Sequence, residues 1–172
     1  KITNGVSEIV LGLKKELVLG NLHAKRDWGY APEYMEAIHL MLQQDKPDTF
    51  VISTGETHKV QDFVKLAFDL VGLNWKKYVK IDKRFLRPLE VSYLRGNNKK
   101  AKNKLDWKPK TTFENLVKIM LDEDLSRWKM FLDGKVFPWD APLYPSESKF
   151  ITRLSDENRK KKLNRLGSNK KK

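Results

Sequence analysis

Residues 17–72 read LVLGNLHAKRDWGYAPEYMEAIHLMLQQDKPDTFVISTGETHKVQDFVKLAFDLVG, and they contain two successive strand-then-helix units. In the first unit, a short apolar run at 17–20 predicts a buried strand, and helical spacing of apolar residues predicts a helix over 31–44. In the second unit, β-branched and aromatic residues predict a strand over 48–56, and a helix over 58–72 stops at Gly72. This alternation predicts an α/β fold.

Further elements flank these two units. Apolar spacing predicts a helix over residues 1–15, a short strand over 78–82, a short helix within 98–105 and a long helix over 111–130 that begins at a threonine cap. The polar stretch 21–29 is predicted to be a loop, and WKP at 107–109 is interpreted as a helix exit and core anchor. We expect residues 1–130 to form one α/β region, 131–157 a Pro- and aromatic-rich extension, and 158–172 a basic, disordered tail.

The composition limits the class of protein. The chain has 172 residues, of which 40% are hydrophobic and 33% charged, and no apolar run approaches the length of a membrane span, so a soluble, cytoplasmic protein is expected. The absence of cysteine excludes disulfides, thiolate zinc sites and cysteine nucleophiles. The chain begins at Lys1 inside a helical pattern that lacks the sections of a signal peptide, and we interpret this start as a truncation.

The net charge of +13 is local. Residues 158–172 carry eight basic residues and no acid, and residues 75–111 carry thirteen basic and three acidic residues, so the rest of the chain has a net charge of about −5. Two basic stretches with nearby Trp75 and Trp107 keep a second hypothesis open, a non-catalytic nucleic-acid-binding or interaction module. That hypothesis is the weaker of the two.

Catalytic and cofactor motifs are missing from the sequence. Its nine glycines never form G-x-G-x-x-G, and none of its five tyrosines is followed by a lysine four positions later. The histidines His23, His39 and His58 are too scattered to form a local ligand set. No catalytic residue, cofactor cradle or metal site is therefore predicted in this segment.

Cations that could bind phosphate remain. Arg26 and Arg87 lie in non-periodic segments, and a guanidinium fork matches phosphate oxygens while staying charged at every relevant pH. Glu90, three positions after Arg87, could accept hydrogen bonds from ribose hydroxyls. On the residues alone, solvated loop arginines are the better explanation of the pattern. The other cations considered are Lys1, Lys25, Arg84 and Arg95.

Two long segments resemble one enzyme family. LGNLHAKRDWG with FVISTGETH in residues 19–58, and FLRPLEVSYLRGNNKKAKNKLDWKP in residues 85–109, are similar to GDP-mannose 4,6-dehydratases, which belong to the extended short-chain dehydrogenase/reductase group. The similarity covers residues 1 to about 125. His23 stands where the family often has an acidic residue, and the chain beyond residue 130 extends past the family's usual end; both are departures from the pattern.

The resemblance implies the C-terminal, substrate-binding part of an extended short-chain dehydrogenase/reductase that lacks most of its Rossmann domain. It implies binding of GDP-mannose and its NADP-dependent conversion to GDP-4-keto-6-deoxymannose and water, with NADP held by an N-terminal domain, no metal, and a homo-oligomeric full-length enzyme. Matching positions assign substrate contacts to Lys1, Gly20, Asn21, Arg26, Arg87 and Glu90. Arg26 and Arg87 are expected to converge on one pyrophosphate-sized gap, and the fragment alone is expected to be inactive.

Overall fold

The computed structural model describes residues 1–86 and 89–134. Its helices are α1 (Ile2–Val10), α2 (Ala31–Leu42), α3 (Val60–Asp69), α4 (Lys99–Leu105) and α5 (Phe113–Leu132). Its strands are β1 (Leu17–Leu19), β2 (Lys25–Arg26), β3 (His58–Lys59) and β4 (Val79–Ile81), and 3-10 turns occupy Trp75–Lys77 and Lys83–Phe85. The predicted tail at 158–172, and the predicted extension from residue 135 onward, lie outside the described residues.

The main core lies between α1, α3, α5 and β1. Val6, Val64 and Val117, one from each of the three helices, are fully buried, and Leu17 of β1 packs among them. Burial of each such side chain contributes about 1.5–3 kcal/mol, so this cluster supplies most of the apolar driving force in the described residues. A second cluster, in which Ala37 of α2 packs on α4 and Trp107, lies apart from the first.

Two small sheets join segments that are distant in sequence. β1 pairs in parallel with β4, with Leu17 opposite Val79, and β2 pairs antiparallel with β3, with Arg26 opposite His58. The parallel pair requires a long crossover, which α2 and α3 supply. The α/β class predicted from the sequence is confirmed.

Most predicted elements are present. The strands expected at 17–20 and 78–82 and the helices expected at 31–44, 58–72, 98–105 and 111–130 correspond to β1, β4, α2, α3, α4 and α5. Trp107 is buried, and its indole Nε1 donates to the carbonyl of Glu33 at 2.9 Å, so its interpretation as a core anchor is confirmed.

Three predictions about local structure are wrong. The helix expected over 1–15 ends at Val10, because Gly12 takes the left-handed conformation at φ +72. The predicted strand over 48–56 is irregular instead, and the amides of Thr54 and Gly55 bond to the Asp27 carboxylate rather than to a neighbouring strand. The predicted loop 21–29 contains the short strand β2, whose partner β3 was not predicted either.

Among the described residues, no helix is both long and apolar enough to cross a bilayer.

Candidate functional site

The guanidinium of Arg26 lies at the centre of the candidate site. Its Nη2 donates to Glu90 Oε1 at 2.5 Å, and its Nη1 donates to the backbone carbonyls of Val91 at 2.7 Å and Lys25 at 2.8 Å. The side chains of Arg26 and Glu90 are 24% and 21% exposed, so their ion pair is half-buried. The structure therefore brings together two of the predicted substrate residues, in direct contact with each other.

Backbone pairing explains why these two residues meet. The segment of residues 89–96 runs beside β2, with Lys25 N donating to the Ser92 carbonyl at 2.8 Å and Leu94 N donating to the Lys25 carbonyl at 3.1 Å. Glu90 lies at the start of this segment, within reach of the side chain that follows Lys25. Each residue was identifiable from the sequence, but their mutual ion pair was not.

Asp27 ties three parts of the chain together beside this pair. Its Oδ1 accepts from the amide of Thr54 at 2.9 Å and from that residue's hydroxyl at 2.5 Å. Its Oδ2 accepts from the amides of Gly55 at 3.0 Å and Gly96 at 3.1 Å. Asp27 is not among the site residues predicted from the sequence, although it directly follows Arg26. One carboxylate thus connects the end of β2, the loop at 53–56 and the end of segment 89–96.

Asn98 strengthens the same junction. Its side-chain nitrogen donates to the carbonyls of Ser53 at 2.9 Å and Thr54 at 3.1 Å. Close packing makes glycine necessary at position 96, because a Cβ there would lie 2.2 Å from the Ser53 hydroxyl. The loop at 53–56 and the 95–98 turn are therefore fixed against each other.

Three other predicted residues lie around the 3-10 turn at Lys83–Phe85. The Nζ of Lys1 lies 4.1 Å from the centroid of the Phe85 ring. Gly20 packs so closely that a Cβ would lie 2.4 Å from the Phe85 carbonyl oxygen. Asn21, next to Gly20, accepts from the amide of His23 at 2.8 Å, which closes a tight turn.

The predicted substrate residues thus fall into two groups in the structure. Lys1 and Gly20 share the contact with Phe85, and Arg26 and Glu90 share an ion pair. Arg87, which follows Phe85 by two positions and precedes Glu90 by three, lies outside the described residues. The expected convergence of Arg26 and Arg87 on one gap stays a prediction.

An open cleft of about 530 Å³ lies beside the Asp27 junction. Its lining includes Arg95 and Lys99 together with Glu56, and Arg95 Nε donates to the Gly55 carbonyl at 2.5 Å. The cleft is large enough for a nucleotide-sized molecule, since ligand pockets commonly occupy 300–1,000 Å³.

Tyr34 lies near the same carboxylates. Burial raises the pKa of its phenol above the usual value, and the negative charges of Asp27 and Glu33 raise this pKa further. The hydroxyl lies against Gly29, where a Cβ would come within 2.0 Å of it. The Tyr34 phenol is therefore neutral across the physiological range, and it packs closely against Gly29.

Metal ligation has no candidate in residues 1–86 and 89–134, where no group of three or more His, Asp or Glu side chains could hold an ion. His58 instead stacks on Phe113 with ring centroids 3.8 Å apart.

Solved structures share the fold of this chain. RMD from Pseudomonas aeruginosa, determined with NADPH, matches 73% of this chain and 41% of its own at 19% identity, with a TM-score of 0.66. A dTDP-glucose 4,6-dehydratase from Bacillus anthracis, determined with NAD, matches 70% of this chain and 37% of its own at 24% identity, with a TM-score of 0.60. The fold is that of the C-terminal part of an extended short-chain dehydrogenase/reductase.

Sequence similarity gives the family within that class. The family model described as GDP-mannose 4,6 dehydratase matches residues 1–120. GDP-mannose 4,6 dehydratase 1 of Arabidopsis thaliana is 55% identical over 125 residues, which are 73% of this chain and 35% of that protein. The human GDP-mannose 4,6 dehydratase is 43% identical over 142 residues, covering 73% and 38% respectively. The chain belongs to the GDP-mannose 4,6-dehydratase family, and it spans well under half the length of these relatives.

Proposed function

We propose that this chain is the GDP-sugar-binding portion of a GDP-mannose 4,6-dehydratase, a lyase that converts GDP-mannose to GDP-4-keto-6-deoxymannose and water. The observation that carries the proposal is the half-buried Arg26–Glu90 pair, formed by two positions that match the family's substrate contacts. Family membership over residues 1–120 supports the same assignment.

In this proposal, Arg26 and Arg87 bind the diphosphate, and Lys1 adds a further positive charge. A buried or half-buried arginine suits this role because its planar donors stay charged and keep a fixed geometry. Glu90 accepts hydrogen bonds from ribose hydroxyls, and Gly20 and Asn21 form a wall of the site. Glu90 already holds the Arg26 guanidinium in place, so part of the ordering entropy of binding is removed in advance.

The reaction itself would require residues beyond this sequence. The family chemistry uses NADP as a hydride carrier, but the residues of this chain do not fit that cofactor. The described glycines with positive φ are Gly12, Gly55, Gly72 and Gly134, and none belongs to a G-x-G-x-x-G loop between a strand and a helix. We therefore assign no proton or hydride transfer to any side chain here, and we propose that this chain alone binds but does not turn over GDP-mannose.

Isothermal titration of the chain with GDP tests the proposal. We expect one GDP per chain, and we expect Arg26→Gln to weaken affinity at least tenfold, because a charge-assisted hydrogen bond contributes about 1.5–3 kcal/mol. Arg127→Gln is the matched control, since Arg127 pairs with Glu123 on α5, a helix that carries none of the predicted substrate residues. Absence of GDP binding, or equal losses in both variants, contradicts the proposal.

The nucleic-acid alternative predicts a different result in the same titration. Binding through the basic stretches would strengthen with oligonucleotide length and fall steeply as salt rises, because each neutralised phosphate releases counterions. A nucleotide-sugar site saturates at one mononucleotide and gains nothing from added nucleotides. A single-stranded oligonucleotide that outcompetes GDP would favour the alternative.

A further inference from the structure

We propose that Asp27 is a positioning residue for the Arg26 guanidinium, which it acts on through segment 89–96 rather than by touching the ligand. This inference rests on the proposed function, because Arg26 is there the diphosphate-binding group. Asp27 is neither one of the substrate residues predicted from the sequence nor a member of the Arg26–Glu90 ion pair.

Segment 89–96 holds the Arg26 guanidinium in place. Outside β2, the guanidinium donates to the Glu90 carboxylate and the Val91 carbonyl, which both belong to this segment. The direction of the guanidinium is therefore set by where this segment lies. Because an arginine side chain has several rotatable bonds, Arg26 would lose that direction if the segment shifted.

Segment 89–96 is itself held by residues 25–27. Two backbone bonds to Lys25 fix its middle, at Ser92 and Leu94. At its end, the amide of Gly96 donates to Asp27 Oδ2 at 3.1 Å. The side chains of this segment add little internal packing, since Leu89 is 94% exposed and Val91 is 54% exposed. Polar bonds from residues 25–27 therefore carry much of its placement.

The Asp27 carboxylate holds this junction with charge-assisted hydrogen bonds. Each oxygen of its carboxylate accepts two bonds, and three of the four donors are backbone amides. Charge-assisted bonds of this kind are about twice as strong as neutral ones. The loop at 53–56 is bound to the same carboxylate. Asp27 therefore fixes segment 89–96 to this loop as well as to β2. Arg26 bonds to the start of segment 89–96, and Asp27, the next residue in the chain, bonds to its end.

Arginine side-chain NMR tests this role directly. In the 172-residue chain, we expect Asp27→Ala to speed solvent exchange of the Arg26 guanidinium protons and the Gly96 amide at least tenfold. Asp62→Ala is the matched control, because Asp62 also accepts a backbone bond, from Lys59 N at 2.8 Å, but does so at the start of α3 and away from segment 89–96. Both variants lose thermal stability, and only the first changes Arg26. If Asp27→Ala does not fold, Asp27→Asn, which keeps one acceptor oxygen, is measured in the same way.

A GDP titration of the same variants separates the two proposals. We expect Asp27→Ala to weaken GDP binding at least fivefold and Asp62→Ala to leave it within twofold. If the unaltered chain binds no GDP, the proposed function fails, and Arg26 exchange still decides the role of Asp27. If Arg26 exchange in a folded Asp27 variant equals that of the unaltered chain, the positioning role is overturned whatever the titration gives.

Discussion

Glu33 shows at the residue scale how a buried charge is kept in this fold. It is 8% exposed, and its carboxylate accepts from the Thr111 amide at 3.0 Å, the Thr111 hydroxyl at 2.6 Å and the Lys110 amide at 3.1 Å. These bonds replace the water that burial removes, and they join α2 to the loop before α5. The residue therefore stabilises the connection between the two hydrophobic clusters.

Glu33→Gln is expected to lower the free energy of unfolding by about 1–3 kcal/mol, because the new amide group would face a backbone N–H that needs an acceptor. Urea unfolding followed by circular dichroism measures this change. Glu36→Gln is the control: that side chain is 56% exposed and pairs with Lys110 at 3.8 Å, so its loss should change stability by less than about 0.5 kcal/mol. Equal effects in the two variants would contradict the role given to Glu33.

Asp48 gives a pH-dependent prediction. Its hydrogen bond from Lys100 is the largest cause that lowers its pKa below the usual value, followed by its bond from Lys104. A carboxylate whose pKa is lower in the folded state stabilises the fold above the unfolded value, about 3.9, and loses this contribution as the pH falls. Asp48→Asn should therefore unfold at lower urea than the unaltered chain at pH 7. The difference should begin to narrow below about pH 4 and should keep narrowing as the pH falls toward the lowered folded-state pKa of Asp48.

The control for this pH series is Asp45→Asn, because Asp45 is exposed and makes no ion pair within residues 1–86 and 89–134. A difference for Asp48→Asn that stays constant from pH 7 to pH 3 would show that the two lysine contacts do not act through charge.

At the scale of elements, the sequence predicts those parts whose apolar spacing is repeated. The helices α2, α3 and α5 each bury one face against a cluster, and this leaves a periodic pattern that can be recognised without coordinates. The segment 48–56 is as rich in β-branched residues as a strand, yet it lacks a ladder partner and bonds instead to Asp27 and Asn98. Tertiary context decides such short apolar runs.

The candidate site follows the same rule. Arg26 and Glu90 could be selected one by one, from side-chain chemistry and family similarity, but they are 64 positions apart and nothing local indicates that they pair. Asp27 was not selected, because a carboxylate next to an arginine is most simply taken as its local counter-ion. In the structure it bonds elsewhere, to amides of residues 54, 55 and 96.

The contact between Gly20 and the 3-10 turn at Lys83–Phe85 gives a prediction at this scale. Gly20→Ala places a methyl group 2.4 Å from the Phe85 backbone oxygen, so the turn must move, at a cost of about 1–3 kcal/mol. Urea unfolding measures the cost, and the NMR signals of Lys1 and Phe85 report the displaced contact. Gly5→Ala is the comparison, because its methyl group meets the buried Leu17 side chain at 2.6 Å rather than backbone, so it should displace Leu17 and leave the turn at Lys83–Phe85 in place.

At the scale of the whole molecule, stability and the candidate site lie in different parts of the chain. The fully buried side chains come mainly from α1, β1, α3 and α5. The site residues lie on the short strand β2, in segment 89–96 and around the 3-10 turn at Lys83–Phe85. Several apolar side chains in and next to these parts are exposed: Phe85, Leu86, Leu89, Val91, Tyr93 and Leu94. Function at loops positioned by a firmer scaffold is common in enzymes, since binding groups need freedom to adapt.

This separation predicts an order of hydrogen exchange in the intact chain. Amides of α3 and of the first half of α5 should exchange most slowly, because they open only with the main core. Amides of segment 89–96 should exchange at least a hundredfold faster, since the segment is tied to the fold by backbone bonds to Lys25 and by the Asp27 carboxylate rather than by buried side chains. Mass spectrometry of peptides from the two regions measures the ratio. Equal protection of peptides from 89–96 and from α3 would contradict the prediction, because the segment would then belong to the core and would be rigid before GDP binds. If the prediction holds, added GDP should slow exchange in 89–96 and leave exchange in α3 unchanged.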